Sequence, residues 1–177
     1  HQWVLVKPEE LMETDFINPI DLDKVGWPIE WTQDKNQVFI QSKKNENEKL
    51  GPVDGAFPVI HGPFGEDGQL QRELNVLGLA FVGSDTLACE NSFDKGKTKS
   101  LMNRHGIKQA PYLEFTNENP HFQNLKNQLS LPFFVKPANM GSSVGISKVT
   151  DEESMMKALA EARIHDRKVV VEKYIQW

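Results

Sequence analysis

Apolar and polar positions along the chain follow two periods, and the change between them marks the predicted elements. Short runs with strand character occupy 2–7, 37–41 and 57–61, and the polar stretch from Ser42 to Pro52 between them reads as a solvated loop with turn signals. Leu70, Leu74 and Leu77 then recur at i, i+4 and i+7, one face of a helix, and Gly78 stands where a helix ends. Ala80-Phe81-Val82-Gly83 predicts the next strand. Strand, loop, helix and strand in that order predict an α/β layer with a parallel sheet. From Asn91 onward the pattern restarts. Asp94 is placed to cap a helix running to His105 and closed by Gly106. Strands are predicted near 112–116, 132–137 and 144–149. Thr150 at a cap with Glu153 three residues later predicts a capping box, and Met155, Leu159 and Ala162 give its helix an apolar, core-facing side. His165-Asp166 turns the chain into a last strand from Lys168 to Ile175.

Composition narrows the function. A net charge of −5 over 177 residues argues against general nucleic-acid or membrane-surface binding, so any cationic site has to be local. No apolar run approaches the ~20 residues of a membrane span. The single Cys89 cannot form an internal disulfide, which fits a reducing compartment, and it reads as a small buried hydrophobe. These features predict a cytoplasmic protein. Both ends read as strands already under way, the first at Trp3-Val4-Leu5-Val6 and the last at Val169-Val170-Val171, which predicts a fragment of a longer chain.

Three places carry candidate chemistry. Lys136-Pro137-Ala138-Asn139-Met140-Gly141-Ser142-Ser143-Val144-Gly145 joins a lysine at the end of a valine-containing strand to a loop of small residues. Small side chains let backbone N–H groups approach a phosphate, and the lysine adds a compact positive charge. The alternative is an ordinary hairpin with a surface lysine. Glu172 interrupts the apolar end strand, so it needs a partner. It could accept a hydrogen bond from an adenine amino group, with backbone groups of Lys173 and Ile175 reading other ring atoms, or it could be ion-paired, for instance to Lys136. His61 precedes a glycine turn at the end of a predicted strand, where α/β sheets bind ligands. It could donate to a substrate carbonyl, with Glu66 or Asp67 orienting it, although Asp67 is also placed to cap the following helix. Gly96-Lys97-Thr98 imitates the end of a P-loop, but the position five before Gly96 is Asn91, and Phe93 and Asp94 suit a phosphate nest poorly.

Taken together, three segments carry a family pattern: His61-Gly62-x-x-Gly65-Glu66-Asp67-Gly68-x-x-Gln71, Phe93-Asp94-Lys95-x-x-Thr98-Lys99, and Lys136-Pro137-x-x-x-Gly141-Ser142-Ser143-Val144-Gly145, closed by Val171-Glu172-Lys173. In order and spacing the chain resembles bacterial D-alanine–D-alanine ligases of the ATP-grasp superfamily. The resemblance implies an incomplete N-terminal α/β domain over 1–90 and the first α+β lobe of an ATP-grasp domain over 91–177. It implies an ATP-dependent carboxylate–amine ligase that joins two D-alanines through an acylphosphate for peptidoglycan precursors. Lys95 and Lys136 would hold ATP phosphates. Gly141, Ser142, Ser143, Val144 and Gly145 would close over them, with Ser142 also catalytic. Glu172, Lys173, Tyr174 and Ile175 would bind adenine, and His61, supported by Glu66, would sit near the first D-alanine. The resemblance places the Mg2+ ligands outside this chain, implies little ligase activity for the isolated chain, and suggests a homodimer. Related ATP-grasp ligases of the D-alanine–D-lactate type, or a non-catalytic nucleotide-binding module, are the alternatives.

Overall fold

Backbone pairing sorts the strands of the described residues into three sheets. The computed structural model describes residues 3–6, 26–45 and 48–176; the ends of the strand predicted over 2–7 lie outside these. Two compact units result, one built from 1–58 and 72–83, the other from 59–71 and 84–177.

In the first unit β1 (Trp3–Leu5), β2 (Trp27–Asp34), β3 (Gln37–Ser42) and β4 (Lys49–Val53) form an antiparallel sheet in that order. The β2–β3 hairpin turns on Lys35 and Asn36, with φ of 48° and 65°, which matches the twist of the flanking strands. β4 occupies part of the stretch expected to be loop. Only Lys49 of β4 is polar, and its residues are mostly exposed, Leu50 among them, which a strand tolerates at the sheet edge. Among the described residues, parallel pairing is confined to β5 (Gly55–Ala56) with β6 (Ala80–Phe81). The strand expected over 57–61 does not form. Pro58 has no N–H to give to a ladder, and Phe57, Val59 and Ile60 are exposed. Helix α1 (Gln69–Val76) buries Leu70 and Leu74 as their spacing predicts, and Gly78 ends it with a φ of 65°.

The second unit carries β7 (Tyr112–Thr116), β8 (Phe133–Pro137), β9 (Ser147–Val149) and β10 (Lys168–Lys173), antiparallel in the order β7-β10-β8-β9. Its helices are α2 (Thr86–Phe93), α3 (Lys95–Arg104), α4 (Phe122–Leu129) and α5 (Glu152–His165). Side chains alternate across a strand, so the sheet has two chemically distinct faces. Phe133, Val135, Val149, Val169 and Val171 pack with Leu125 and Leu129 of α4 and with Met155, Ala158, Leu159 and Ala162 of α5. Burying each large member contributes about 1.5–3 kcal/mol. Phe134 and Lys136 on β8 alternate with those core residues, and Glu172 stands opposite Phe134 in the β10–β8 register.

The cap of α5 is Asp151, one residue after the expected Thr150. Its carboxylate accepts the Ser154 N–H at 2.8 Å, and the Ser154 hydroxyl reciprocates at 3.0 Å, an exchange the longer Glu153 is not needed for. The strand expected over 144–149 shortens to β9. Ser142, Ser143 and Gly145 have φ of 48°, 61° and 68°, and left-handed residues cannot continue a ladder. The last strand ends at Lys173, two residues before the expected Ile175.

Candidate active site

Asp94 organises the first part of the site. It caps α3, accepting the N–H groups of Gly96 at 2.8 Å and Lys97 at 3.0 Å. Lys168 bonds both Asp94 carboxylate oxygens, at 3.0 and 3.2 Å, and reaches Glu114 at 2.9 Å. Gly96 lies directly over this pair. A Cβ there would come 2.6 Å from the Lys168 ammonium and closer still to the Glu114 carboxylate. Gly96 therefore serves close packing, and Gly96-Lys97-Thr98 is the first turn of a capped helix, with the Thr98 hydroxyl spent on the Asn91 carbonyl at 2.7 Å.

A helix that starts at Lys95 brings Lys95 and Lys99, one turn apart, onto the same side. The Lys95 backbone N–H bonds the Ala138 carbonyl at 3.0 Å, and its ammonium bonds the carbonyls of Ala138 at 3.4 Å and Met140 at 2.5 Å. Lys99 and Lys136 each donate to one oxygen of the Glu172 carboxylate. All three side chains are largely sequestered, with 13%, 21% and 14% of the side chain exposed for Lys99, Lys136 and Glu172. Burial acts to raise the Glu172 carboxyl, but the hydrogen bonds and charges of Lys136 and Lys99 outweigh it and hold it below 4.5, its ordinary value. Burial, then the Lys136 charge, pull the Lys95 ammonium below its ordinary value. Lys99 and Lys136 pair with Glu172, and Lys95 stands near enough to feel the charges of Lys136, Asp166, Asp94 and Glu172, so the cations of this acidic chain are gathered locally among carboxylates.

The loop from Ala138 to Ile146 is fixed at its base. The backbone and side-chain N–H groups of Asn139 donate to Asp166 at 2.9 and 2.7 Å, and the Ala138 N–H bonds the Lys168 carbonyl at 2.9 Å. Gly145 packs so closely that a Cβ would stand 2.8 Å from the His165 ring and 3.1 Å from Pro137. Between these anchors Gly141, Ser142, Ser143 and Val144 are exposed.

His61 and Glu66 make a separate pair. His61 is 88% exposed, with its Nδ1 3.7 Å from Glu66, whose other oxygen accepts the Gly62 N–H at 2.7 Å. Asp67 accepts the N–H groups of Phe64 at 2.9 Å and of Gln69, the first residue of α1, at 3.0 Å, so it acts at the helix end. Buried Gln71 donates to the Gly65 carbonyl at 3.0 Å. At the end of β10 the N–H groups of Lys173 and Tyr174 bond the carbonyls of Pro111 at 2.9 Å and Pro132 at 3.3 Å, and the Tyr174 ring lies 6.0 Å from that of Phe134; Ile175 is exposed. Thus Lys95, Lys136, Glu172 and the loop base come together. Lys99, in a motif but given no role from the sequence, joins them; its spacing of four from Lys95 was the available signal.

Two carboxyls, buried Asp94 and half-buried Glu172, predict an acid limit to stability. Burial acts to raise Asp94 as well, but the N–H of Lys97 and the Lys168 ammonium outweigh it, and Asp94 is held below 3.8, its ordinary value. For both acids the stabilisation is complete above the ordinary values and is lost as pH falls through the lower folded ones. Denaturation midpoints should be level from about pH 7 to 5 and fall below roughly pH 4, with a shallower fall in Glu172→Gln. A midpoint unchanged to about pH 2.5 would show that these pairs contribute nothing.

Comparison with known proteins now bears on this geometry. The family model described as the D-ala D-ala ligase N-terminus matches residues 1–84, and the one described as the D-ala D-ala ligase C-terminus matches 101–177. The chain belongs to the D-alanine–D-alanine ligase family. This member of the family is 48% identical over 132 residues to D-alanine–D-alanine ligase A of Escherichia coli K12, covering 73% of this chain and 36% of that protein. It is 38% identical over 173 residues to the D-alanine–D-alanine ligase of Staphylococcus haemolyticus, covering 94% and 45%. Among solved structures, the D-alanine–D-alanine ligase from Coxiella burnetii aligns with a TM-score of 0.79 at 26% identity, covering 99% of this chain and 51% of that one. The chain spans from about a third to about half the length of these relatives. The mixed α/β fold expected from the sequence is that of this family. Among the described residues, no group of three His, Cys, Asp or Glu side chains is placed to hold a metal ion. No helix among them is long and apolar enough to cross a membrane.

Proposed function

We propose that this chain supplies the nucleotide-facing part of a cytoplasmic ATP-dependent ligase that joins two D-alanines through an acylphosphate. In this reading residues 1–90 belong to the N-terminal domain and 91–177 to the first lobe of the ATP-grasp domain. The observation that carries it is the cluster of Lys95, Lys99 and Lys136 around Glu172, tied through Lys95 to the base of the Gly-Ser-Ser loop. Phosphoryl transfer to a carboxylate demands positioning and neutralisation of phosphate charge. Lys95 and Lys136 meet that demand as compact cations. The segment Gly141-Ser142-Ser143-Val144-Gly145, exposed from Gly141 to Val144, offers N–H groups other than that of Val144, which bonds the Gly141 carbonyl at 3.0 Å, and two hydroxyls to the same phosphates, Ser142 among the reacting groups.

Glu172 accepts the amino group of adenine. Because the Lys173 N–H is already bonded to Pro111, the base would be read by the Lys173 carbonyl and the Ile175 N–H, beside the Tyr174 ring. His61, held near Glu66, donates to the first D-alanine as charge develops on its carboxyl oxygen. Mg2+, when bound, would neutralise phosphate charge; the family resemblance places its ligands outside this chain. A homodimer is the assembly that the family resemblance suggests.

The test is D-alanine-dependent release of phosphate from ATP by the complete gene product carrying this chain. Phosphate release with D-alanyl-D-alanine formed is the expected result, and Lys136→Ala should weaken ATP binding about tenfold or more through the lost charge-assisted contact. ATP binding with no D-alanine-dependent release would make the chain a nucleotide-binding module and overturn the ligase reading.

A further inference from the structure

Two lysines share Glu172, and they differ in what else surrounds them. Lys136 stands at the end of β8 beside the loop, and its ammonium lies 5.8 Å from the centre of the Phe134 ring. Lys99 comes from α3 and is held from several sides. Its ammonium lies 3.4 Å from the side-chain amide oxygen of Gln109 and 5.0 Å from the centre of the Tyr112 ring. Gln109 in turn donates to the Lys99 backbone carbonyl at 2.7 Å and to Asn103 at 2.6 Å. Lys99 is therefore built into its place before any ligand arrives.

We propose that Lys99 is a positioning residue for nucleotide binding: it keeps Glu172 ionised and aimed when Lys136 turns from that carboxylate to a phosphate. The inference rests on the nucleotide reading above. In the structure the two oxygens of Glu172 have one lysine each. A phosphate that recruits Lys136 removes one of them. The charged groups then facing Glu172 are Lys99 and Lys95 from α3, with the phenol of Tyr112 across the β10–β7 register. Lys95 bonds the Ala138 and Met140 carbonyls here and is assigned to phosphate above, with no bond to Glu172 in either role, so Lys99 is the cation left in contact. Without it, burial would act on Glu172 unopposed by a hydrogen bond, and a proton would convert an acceptor for the adenine amino group into a donor. The first lysine binds the phosphate, and the second preserves the carboxylate that reads the base.

The experiment measures ATP affinity by calorimetry, without D-alanine, between about pH 4 and 8 for the complete gene product and for Lys99→Met and Lys99→Arg. Lys99→Met should weaken ATP binding roughly tenfold and move the acid limb of the affinity profile up by about one pH unit. Lys99→Arg, which keeps the charge and a donor, should recover most of both. A merely structural role for Lys99 would leave the acid limb in place. If the parent binds ATP and Lys99→Met shows the parent's affinity and acid limb, the positioning role is wrong. If the parent does not bind ATP, the nucleotide reading itself fails, and this role with it. Should Lys99→Met not fold, Lys99→Gln is judged by the same two readings.

Discussion

Glu172→Leu is expected to destabilise the second unit by about 3 kcal/mol and to lower its denaturation midpoint accordingly. The substitution leaves Lys99 and Lys136, each at most about a fifth exposed, facing one another without their shared carboxylate. Removing one partner of a fully buried pair costs about 3–5 kcal/mol, while a pair in open solvent costs under about 1. Two lysines losing one partner in a partly covered site place the effect near the lower end of the buried range. Glu172→Gln keeps the shape and one acceptor and should cost roughly half as much. Equal midpoints for Glu172→Leu and the parent would show that both ammonium groups reach water on their own.

Asp94→Ala is expected to have a comparable effect, about 2–3 kcal/mol, for a different reason. Asp94 is only 7% exposed and does two things at once. It accepts the first free N–H groups of α3, a cap contributing about 1 kcal/mol. It also shares the Lys168 ammonium with Glu114, so its loss leaves that cation with one partner. Because α3 carries both Lys95 and Lys99, its first turn places the cationic cluster. Asp94→Asn retains an acceptor for the N–H groups and should lose only the ionic part. Denaturant titration of the two variants separates the parts, and a full-sized loss in Asp94→Asn would mean that the cap contributes little.

How much of this was legible beforehand differs by element. Helix α1 and the core face of α5 were readable because their apolar residues repeat at helical spacing and bury as that spacing requires. Helices α2 and α4 were not recognised: α2 buries no residue, and α4 buries only Leu125 and Leu129, too sparse a stripe to read. The strand β4 was hidden by Gly51-Pro52, a turn signal in its middle, which an edge strand held by backbone pairing to β3 can accommodate. Conversely, Phe57-Pro58-Val59-Ile60 looked like a strand from composition, and the missing N–H of Pro58 keeps it from being one.

The site divides in the same way. Sequence by itself determined the motifs, their order and the chemistry open to them: a lysine before a small-residue loop, a carboxylate in an apolar strand, and a histidine before a glycine turn. It left open whether Glu172 was ion-paired or free to read a base. Tertiary structure decided that, because the register of β10 against β8 and the capped start of α3 bring residues 36 and 73 positions apart onto one carboxylate. It also gave Gly96 its meaning, since close packing over Glu114 and Lys168 depends on a strand more than 70 residues away. Side-chain type sets which interactions are possible, and only the folded chain sets which groups are near enough to make them.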